Sequence, residues 1–410
     1  MSSQNQVVLI RDGEAFSPFY FYNSFLREVA SYYHNPNNKG KQLSFRLVDC
    51  QDFVMGKYRI DPIAIPLLLS LSQQLRLHQS EPIDLELMNV PATNALIEFL
   101  YRADFFFVAG DNQNPMFPIG KNIFNFEKKH LGNFAGKQSR PEHKVRCYSL
   151  SDEDNLLNVA QTINDEDEKR DWFVEHYSYA VGNHFWPLLQ EFASDNILFY
   201  VEILSELVTN GVIHSGTDVF ALMFSDRFAT KFSVSDNGIG FAASLSEKKD
   251  SPCYKKQELS ELICQKYKMK DDEASRSLLA IFEALYYSMM KNRVGLFDLL
   301  ISVVNDYQGY IRLHTDYAQV IFSVRMRDEI AQLNELRTKI RNLFSQKNFG
   351  LVTENKFYNL MNPVIVASKT AMMDLFHKMW ENYNEDVRFS SIRFFPVRFR
   401  GVHVEAEISK

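Results

Sequence analysis

Residues 205–216 read SELVTNGVIHSG and place Glu206, Asn210 and His214 four positions apart. On a helix turning every ~3.6 residues, that spacing stacks an acid, an amide and an imidazole along one stripe. Val201, Leu204, Val208 and Val212 fall on the side opposite Glu206 and Asn210, so the helix can pack its back on a core and turn the stripe toward a cavity or solvent. About twenty residues on, FSVSDNGIGF reads as a strand ending in Asp236, followed by Gly238 and Gly240. Alternate glycines let the backbone turn tightly and a ligand come close, and a carboxylate at a strand end can accept a hydrogen bond from an exocyclic amine. Each segment alone is also what a solvated helix face or a plain turn produces. The two in this order are far more specific.

Together, ELVTNGVIHS and VSDNGIG resemble the N and G1 boxes of the GHKL (histidine-kinase-like, Bergerat-fold) ATPases, over roughly residues 172–326 and the last strand. The nearest likeness is to anti-sigma-factor serine kinases, whose N box also combines Glu, Asn and His at this spacing. The resemblance implies ATP and Mg2+ as cofactors. It makes Asn210 the magnesium ligand, Glu206 the base or water-orienting carboxylate, and Asp236 the reader of the adenine amino group, with Gly238 and Gly240 beside the nucleotide. Magnesium prefers oxygen ligands and keeps several waters, and phosphoryl transfer needs mainly positioning and charge neutralisation. His214, at the helix end, reads as a cap on the turn, with a place near phosphate as the alternative.

The third box departs from the family. A GxGxG-like turn opening a helix would cradle phosphates on free N–H groups, whereas KNRVGLFDLL offers only Gly295, with Phe297 where a second glycine would stand. Nucleotide binding survives this better than hydrolysis does. The stretch 241–292 corresponds to the ATP lid, and its Lys248, Lys249, Lys255 and Lys256 read as solvated surface charge.

Residues 1–110 alternate β-rich runs (VVLI, SFRLVDC, IDLELMN, FFFVA) with helical ones (SFLREVASYY, IAIPLLLSLSQQL, ATNALIEFLYRA), which reads as a small α/β domain. The pattern resembles a STAS domain, the anti-sigma-antagonist fold. That family's D-S-S-G-like turn carries a phosphorylated serine, but here the turn is Asp61, Pro62, Ile63, Ala64, with no hydroxyl. A docking or sensing domain and a purely structural one both remain open.

The expected fold class is therefore α/β: a STAS-like domain over 1–110, a linker and exposed helix over 111–171, and a GHKL ATP-binding domain over 172–326. A helical insertion or partner-binding segment follows over 327–390, and a closing strand over 391–410. The stretches DVFALMFS and KFSVSD read as strands, GYIRLHTDYAQVIFSV as a hairpin, and RDEIAQLNELRTKIRNLF and AMMDLFHKMWENY as helices with an indistinct middle between them. The insertion could pack on the sheet, make a homodimer or receive a protein partner.

Composition narrows the function. A chain of 410 residues, 46% of them hydrophobic, can bury two or three domain cores. A net charge of −6 makes no electrostatic case for nucleic acid, so no nucleic-acid partner is expected. The longest apolar run, IAIPLLLSL, is too short for a span and MSSQNQ is no signal peptide, so a cytoplasmic protein without a membrane partner is expected. Cys50, Cys147, Cys253 and Cys264 form no CxxC pair and read as reduced thiols. The functional expectation is an ATP/Mg-binding regulatory switch in signalling, acting on a protein partner or on its own STAS-like domain. The alternative is an active serine kinase, or an ATPase of a chaperone-like or DNA-maintenance or defence system. No acceptor-helix context surrounds His176 or His184, so a sensor histidine kinase is not expected.

Overall fold

The computed structural model describes residues 6–49, 57–88, 90–114, 116–134, 144–151, 154–192, 194, 197–215, 217–386 and 388–409. Cys50 and the loop GKQSRPEH lie outside these. The class is α/β. The chain runs β1 (Gln6–Ile10), β2 (Ala15–Phe16), α1 (Pro18–Tyr20), a π turn at Phe21–Phe25, α2 (Leu26–His34), β3 (Ser44–Val48), β4 (Arg59–Ile60), α3 (Ala64–Gln79), β5 (Ile83–Glu86), α4 (Asn94–Arg102), α5 (Phe105–Ala109) and β6 (Phe124–Asn125). Strands β1, β3, β5 and β6 pair in that order, all parallel. Parallel neighbours need crossovers, which α2, α3 and the α4–α5 pair supply.

The run FFFVA is a helix and not the strand its aromatic content suggested. Asp104 turns left-handed at φ 59° and opens α5, which buries Phe105, Phe106, Val108 and Ala109. Packing of those side chains overrides β propensity. The strand at that edge of the sheet is instead Phe124–Asn125, from the stretch read as a linker.

The second half continues with β7 (Arg146–Tyr148), α6 (Asp154–Thr162), α7 (Glu166–Phe192), α8 (Ile197–Ser215), β8 (Val219–Ser225), β9 (Ala229–Asp236), α9 (Gly240–Ser246), α10 (Glu258–Tyr267), α11 (Glu273–Met290), α12 (Leu296–Ile301), β10 (Tyr310–Phe322), α13 (Arg327–Asn348), α14 (Glu354–Glu381) and β11 (Ile392–Ser409). Its sheet has the order β10-β11-β9-β8-β7, with every neighbouring pair antiparallel. The 111–171 stretch thus gives one strand to each sheet. The closing strand β11 lies inside the sheet, between β9 and β10.

Two further readings are corrected. GYIRLHTDYAQVIFSV is one strand and not a hairpin: at Asp316 (φ 50°) the chain kinks, and pairing with β11 resumes beyond the irregularity. The indistinct middle of the tail belongs to the 28-residue α14, which contains Pro363. Its buried Phe357, Met361, Ser368, Met372, Leu375 and Met379 recur at helical spacing, masked in the sequence by the polar residues between them.

The antiparallel sheet is covered on both faces. One core joins β9 and β11 to α7, α8, α11, α13 and α14 through Val234, Leu204, Leu285, Ile340 and Phe376. The other joins Phe220, Leu222, Phe395 and Phe399 of that sheet to the N-terminal unit. Helix α8 has the length and apolarity of a membrane span, but 67% of that window is buried, as in a core helix. Cys147, Cys253 and Cys264 are free thiols.

Candidate functional site

Strand alternation decides what β9 shows to each side. Val234 points toward the helices and lines a cavity, which Asp236 at the strand end also lines, while Ser233 bonds to the N-terminal unit behind the sheet. The cavity encloses about 1040 Å³, counting space open to solvent at its mouth. Val234, Val402, Val404, Leu207, Phe241 and Leu245 give it apolar walls.

Asp236 is buried, and its Oδ1 accepts from the Gly238 N–H at 2.8 Å. Burial pushes its carboxyl up to about 7, partly opposed by the backbone N–H groups of Gly238 and Val402. Three glycines permit this crowding. A Cβ on Gly211 would lie 2.6 Å from Val219 Cγ2, so α8 sits close against the strands. Gly240 has φ +77°, and a Cβ there would meet Thr315 Oγ1 at 2.9 Å. Gly401, at φ +112°, lets β11 pass the Asp236 carbonyl, from which a Cβ would be only 2.1 Å away.

Five of the six residues singled out in the sequence line this one cavity: Glu206, Asn210, Asp236, Gly240 and Gly295. Gly238 does not line it; it acts by holding the Asp236 carboxylate. Asn210 is half-buried, and its amide has no hydrogen bond among the described residues.

Glu206 is engaged. Arg170 of α7 bonds both of its oxygens, Nε to Oε2 at 3.1 Å and a terminal nitrogen to Oε1. The neighbouring Asp171 pairs with Arg293 at 2.8 Å. Neither contact has a signal in the charged run NDEDEKRD, which reads as an exposed segment.

His214 also lines the cavity. Its Nε2 accepts from Lys248 Nζ at 3.2 Å, and burial, with Lys248 and Arg170 nearby, lowers it to about 4. It is a neutral acceptor. Of the four lid lysines, only Lys248 reaches the cavity; Lys249, Lys255 and Lys256 are exposed, as expected.

Gly295 sits at the start of α12, but the amides there are partly spent. Its N–H donates to Asp298 Oδ2 at 3.0 Å, and the Phe297 N–H donates to Ser288 Oγ at 3.0 Å. The phosphate cradle the resemblance implied at this turn is accordingly reduced. The turn is held from behind by Arg337 of α13, buried to 1% exposure. Arg337 donates to Asp298 Oδ1 and Oδ2 at 3.0 and 2.8 Å, to the Met289 carbonyl at 2.9 Å, and to the carbonyls of Lys291 and Arg293.

The lining carries four cationic side chains, Arg170, Lys248, Lys291 and Arg293, against the carboxylates of Glu206 and Asp236. The balance favours an anion. Arg170 and Gly295 both stand beside Glu206, since a Cβ on Gly295 would be 3.9 Å from Glu206 Oε1, while Lys291 Nζ lies 4.7 Å from the centre of the Tyr287 ring. Among the described residues no cluster of three or more His, Cys, Asp or Glu could hold a metal ion. A divalent cation would therefore draw on Asn210, water and the ligand's own oxygens, a donor set that suits magnesium. Comparison with protein-family models, with curated proteins and with solved structures finds no match to this chain.

Proposed function

We propose that the cavity binds an adenine nucleotide with magnesium, and that the chain is a cytoplasmic regulatory protein whose nucleotide state is read by a protein partner or by its own N-terminal unit. In this reading residues 172–326 with β11 form a Bergerat-type ATP-binding domain and residues 1–110 a STAS-like one. The observation that carries the reading is one cavity that gathers a desolvated carboxylate, Asp236, with Glu206, Asn210, Gly295 and four cationic side chains.

Asp236 would accept from the adenine amine. Asn210 would coordinate magnesium, which when bound neutralises phosphate charge. Lys291, Arg293 and Lys248 would meet the phosphates, and the apolar walls would exclude water from the base. A switch is favoured over rapid turnover because Glu206 is tied to Arg170 and the α12 amides are partly occupied. An active serine kinase or ATPase is the second reading, favoured by the presence of Glu206 in the cavity wall.

The direct test is a calorimetric ATP titration with and without magnesium, followed by a phosphate-release assay. Wild type should bind ATP more tightly with magnesium. Asn210→Ala should remove most of that magnesium dependence, because an apolar side chain cannot coordinate a hard cation. An unchanged magnesium titration in the variant would place the metal elsewhere.

A further inference from the structure

We propose that Arg170 is a phosphate-responsive latch on Glu206, an inference that rests on the nucleotide reading above. The guanidinium comes from α7, a different helix from the one that carries Glu206, and it reaches the carboxylate through two nitrogens. The Glu206 side chain is 6% exposed and that of Arg170 18% exposed. The pair is therefore shielded, and each partner is costly to leave uncompensated. While it stands, each Glu206 oxygen already accepts from a guanidinium nitrogen, which neutralises the carboxylate and makes it a weaker base toward a water or a substrate hydroxyl.

Arg170 also has somewhere else to go. It lines the cavity together with Arg293 and Lys291, the cations assigned to phosphate. A guanidinium presents a planar fork that matches phosphate as well as carboxylate, so the same donors can exchange one acceptor for the other. The terminal phosphate of a triphosphate supplies the extra acceptor and charge that a diphosphate lacks. In the latch, that group draws Arg170 off Glu206 and frees the carboxylate only when the cavity is loaded. The next residue, Asp171, is tied to Arg293, so movement at the start of α7 also reaches a second cation of the cavity lining. The device keeps the empty or ADP-loaded protein idle.

The test is calorimetry of ATP and ADP on the full chain, in wild type, Glu206→Gln and Arg170→Ala. Glu206→Gln keeps the side-chain shape but removes the charge Arg170 must leave. It should tighten ATP roughly tenfold and leave ADP within about twofold. Arg170→Ala should weaken ATP roughly tenfold and again spare ADP. Because Arg170→Ala also strands a buried carboxylate and can lower stability, Glu206→Gln carries the test by itself. Wild type that binds both nucleotides while Glu206→Gln shifts them alike, or loosens ATP, overturns the latch alone. Wild type that binds neither overturns the nucleotide reading and the latch with it.

Discussion

Asp236 and Asn237 are neighbours at the end of β9, and they are committed to opposite faces of the sheet. Asp236 turns into the cavity, where its carboxylate is desolvated and has a backbone amide for company. Asn237 turns to α3 of the N-terminal unit, donating to the Ser70 carbonyl at 3.2 Å and to Gln73 Oε1 at 3.0 Å. The stitching continues along the helix. Ser233 donates to the Ile63 carbonyl at 3.0 Å, Ser70 to the Ser235 carbonyl at 3.1 Å, and Gln74 to the carbonyls of Asn237 and Arg400 at 3.3 and 3.2 Å. One face of the strand is closed by contacts within the protein, and the other lines the cavity. The two meet at residues 236–238, so α3 grips the turn assigned to adenine. The turn Asp61–Ala64 lies on the closed face, with Ile63 only 1% exposed. It is therefore screened from the cavity by the sheet, which adds a second obstacle, besides the missing hydroxyl, to phosphate transfer within the chain.

The largest expected effect comes from breaking the open face from behind. Arg337→Leu leaves the buried Asp298 with only the Gly295 N–H and a longer pairing to Arg341 at 3.8 Å, and removes the donors to three carbonyls, so it should destabilise the fold by about 3 to 5 kcal/mol. Thermal unfolding would show it. A loss under about 1 kcal/mol would mean that the tail helices do not support the cavity wall.

A smaller and sharper contrast comes from the neighbouring pair. Asn237→Ala removes two hydrogen bonds from the closed face and should cost about 1 to 2 kcal/mol at any pH near neutral. Asp236→Asn should do the reverse in the empty protein. Because its folded value is raised from 3.8 to about 7, Asp236 contributes stability that is full below pH about 4 and lost as pH rises through about 7. The variant escapes that loss and should melt above wild type beyond pH 7. Equal melting of both variants with wild type would erase the distinction between the faces.

How much of this was legible in the sequence depends on range. Glu206, Asn210 and His214 share a helix stripe and Asp236 ends an alternating strand, but either pattern alone also fits a solvated face or a plain turn, and it was the order of the two segments that picked them out. Arg170, Arg293, Arg337 and Gly401 act across gaps of 36 to 165 positions, from Arg170 to Glu206 and from Asp236 to Gly401, and nothing local marks them. FFFVA failed for a related reason: five apolar residues suit a strand or a buried helix equally, and only the packing partner decides. GYIRLHTDYAQVIFSV read as a hairpin because a long strand interrupted by one left-handed residue, Asp316, has the composition of two strands and a turn.

The most direct test of the central claim is the ATP-to-GTP affinity ratio of wild type and Asp236→Asn, measured by calorimetry at pH 6 and pH 8. Guanine presents a carbonyl where adenine presents its amine, and taking the ratio cancels changes in the triphosphate's own protonation. Wild type should prefer ATP by roughly tenfold or more at pH 8. The preference should shrink at pH 6, where protonation, with the carboxyl raised to about 7, turns a charged acceptor into a neutral acid whose O–H can donate to the guanine carbonyl. In Asp236→Asn both the preference and its pH trend should collapse. Failure of wild type to bind ATP, or an unchanged ratio in the variant, would contradict the assignment of this cavity to an adenine nucleotide.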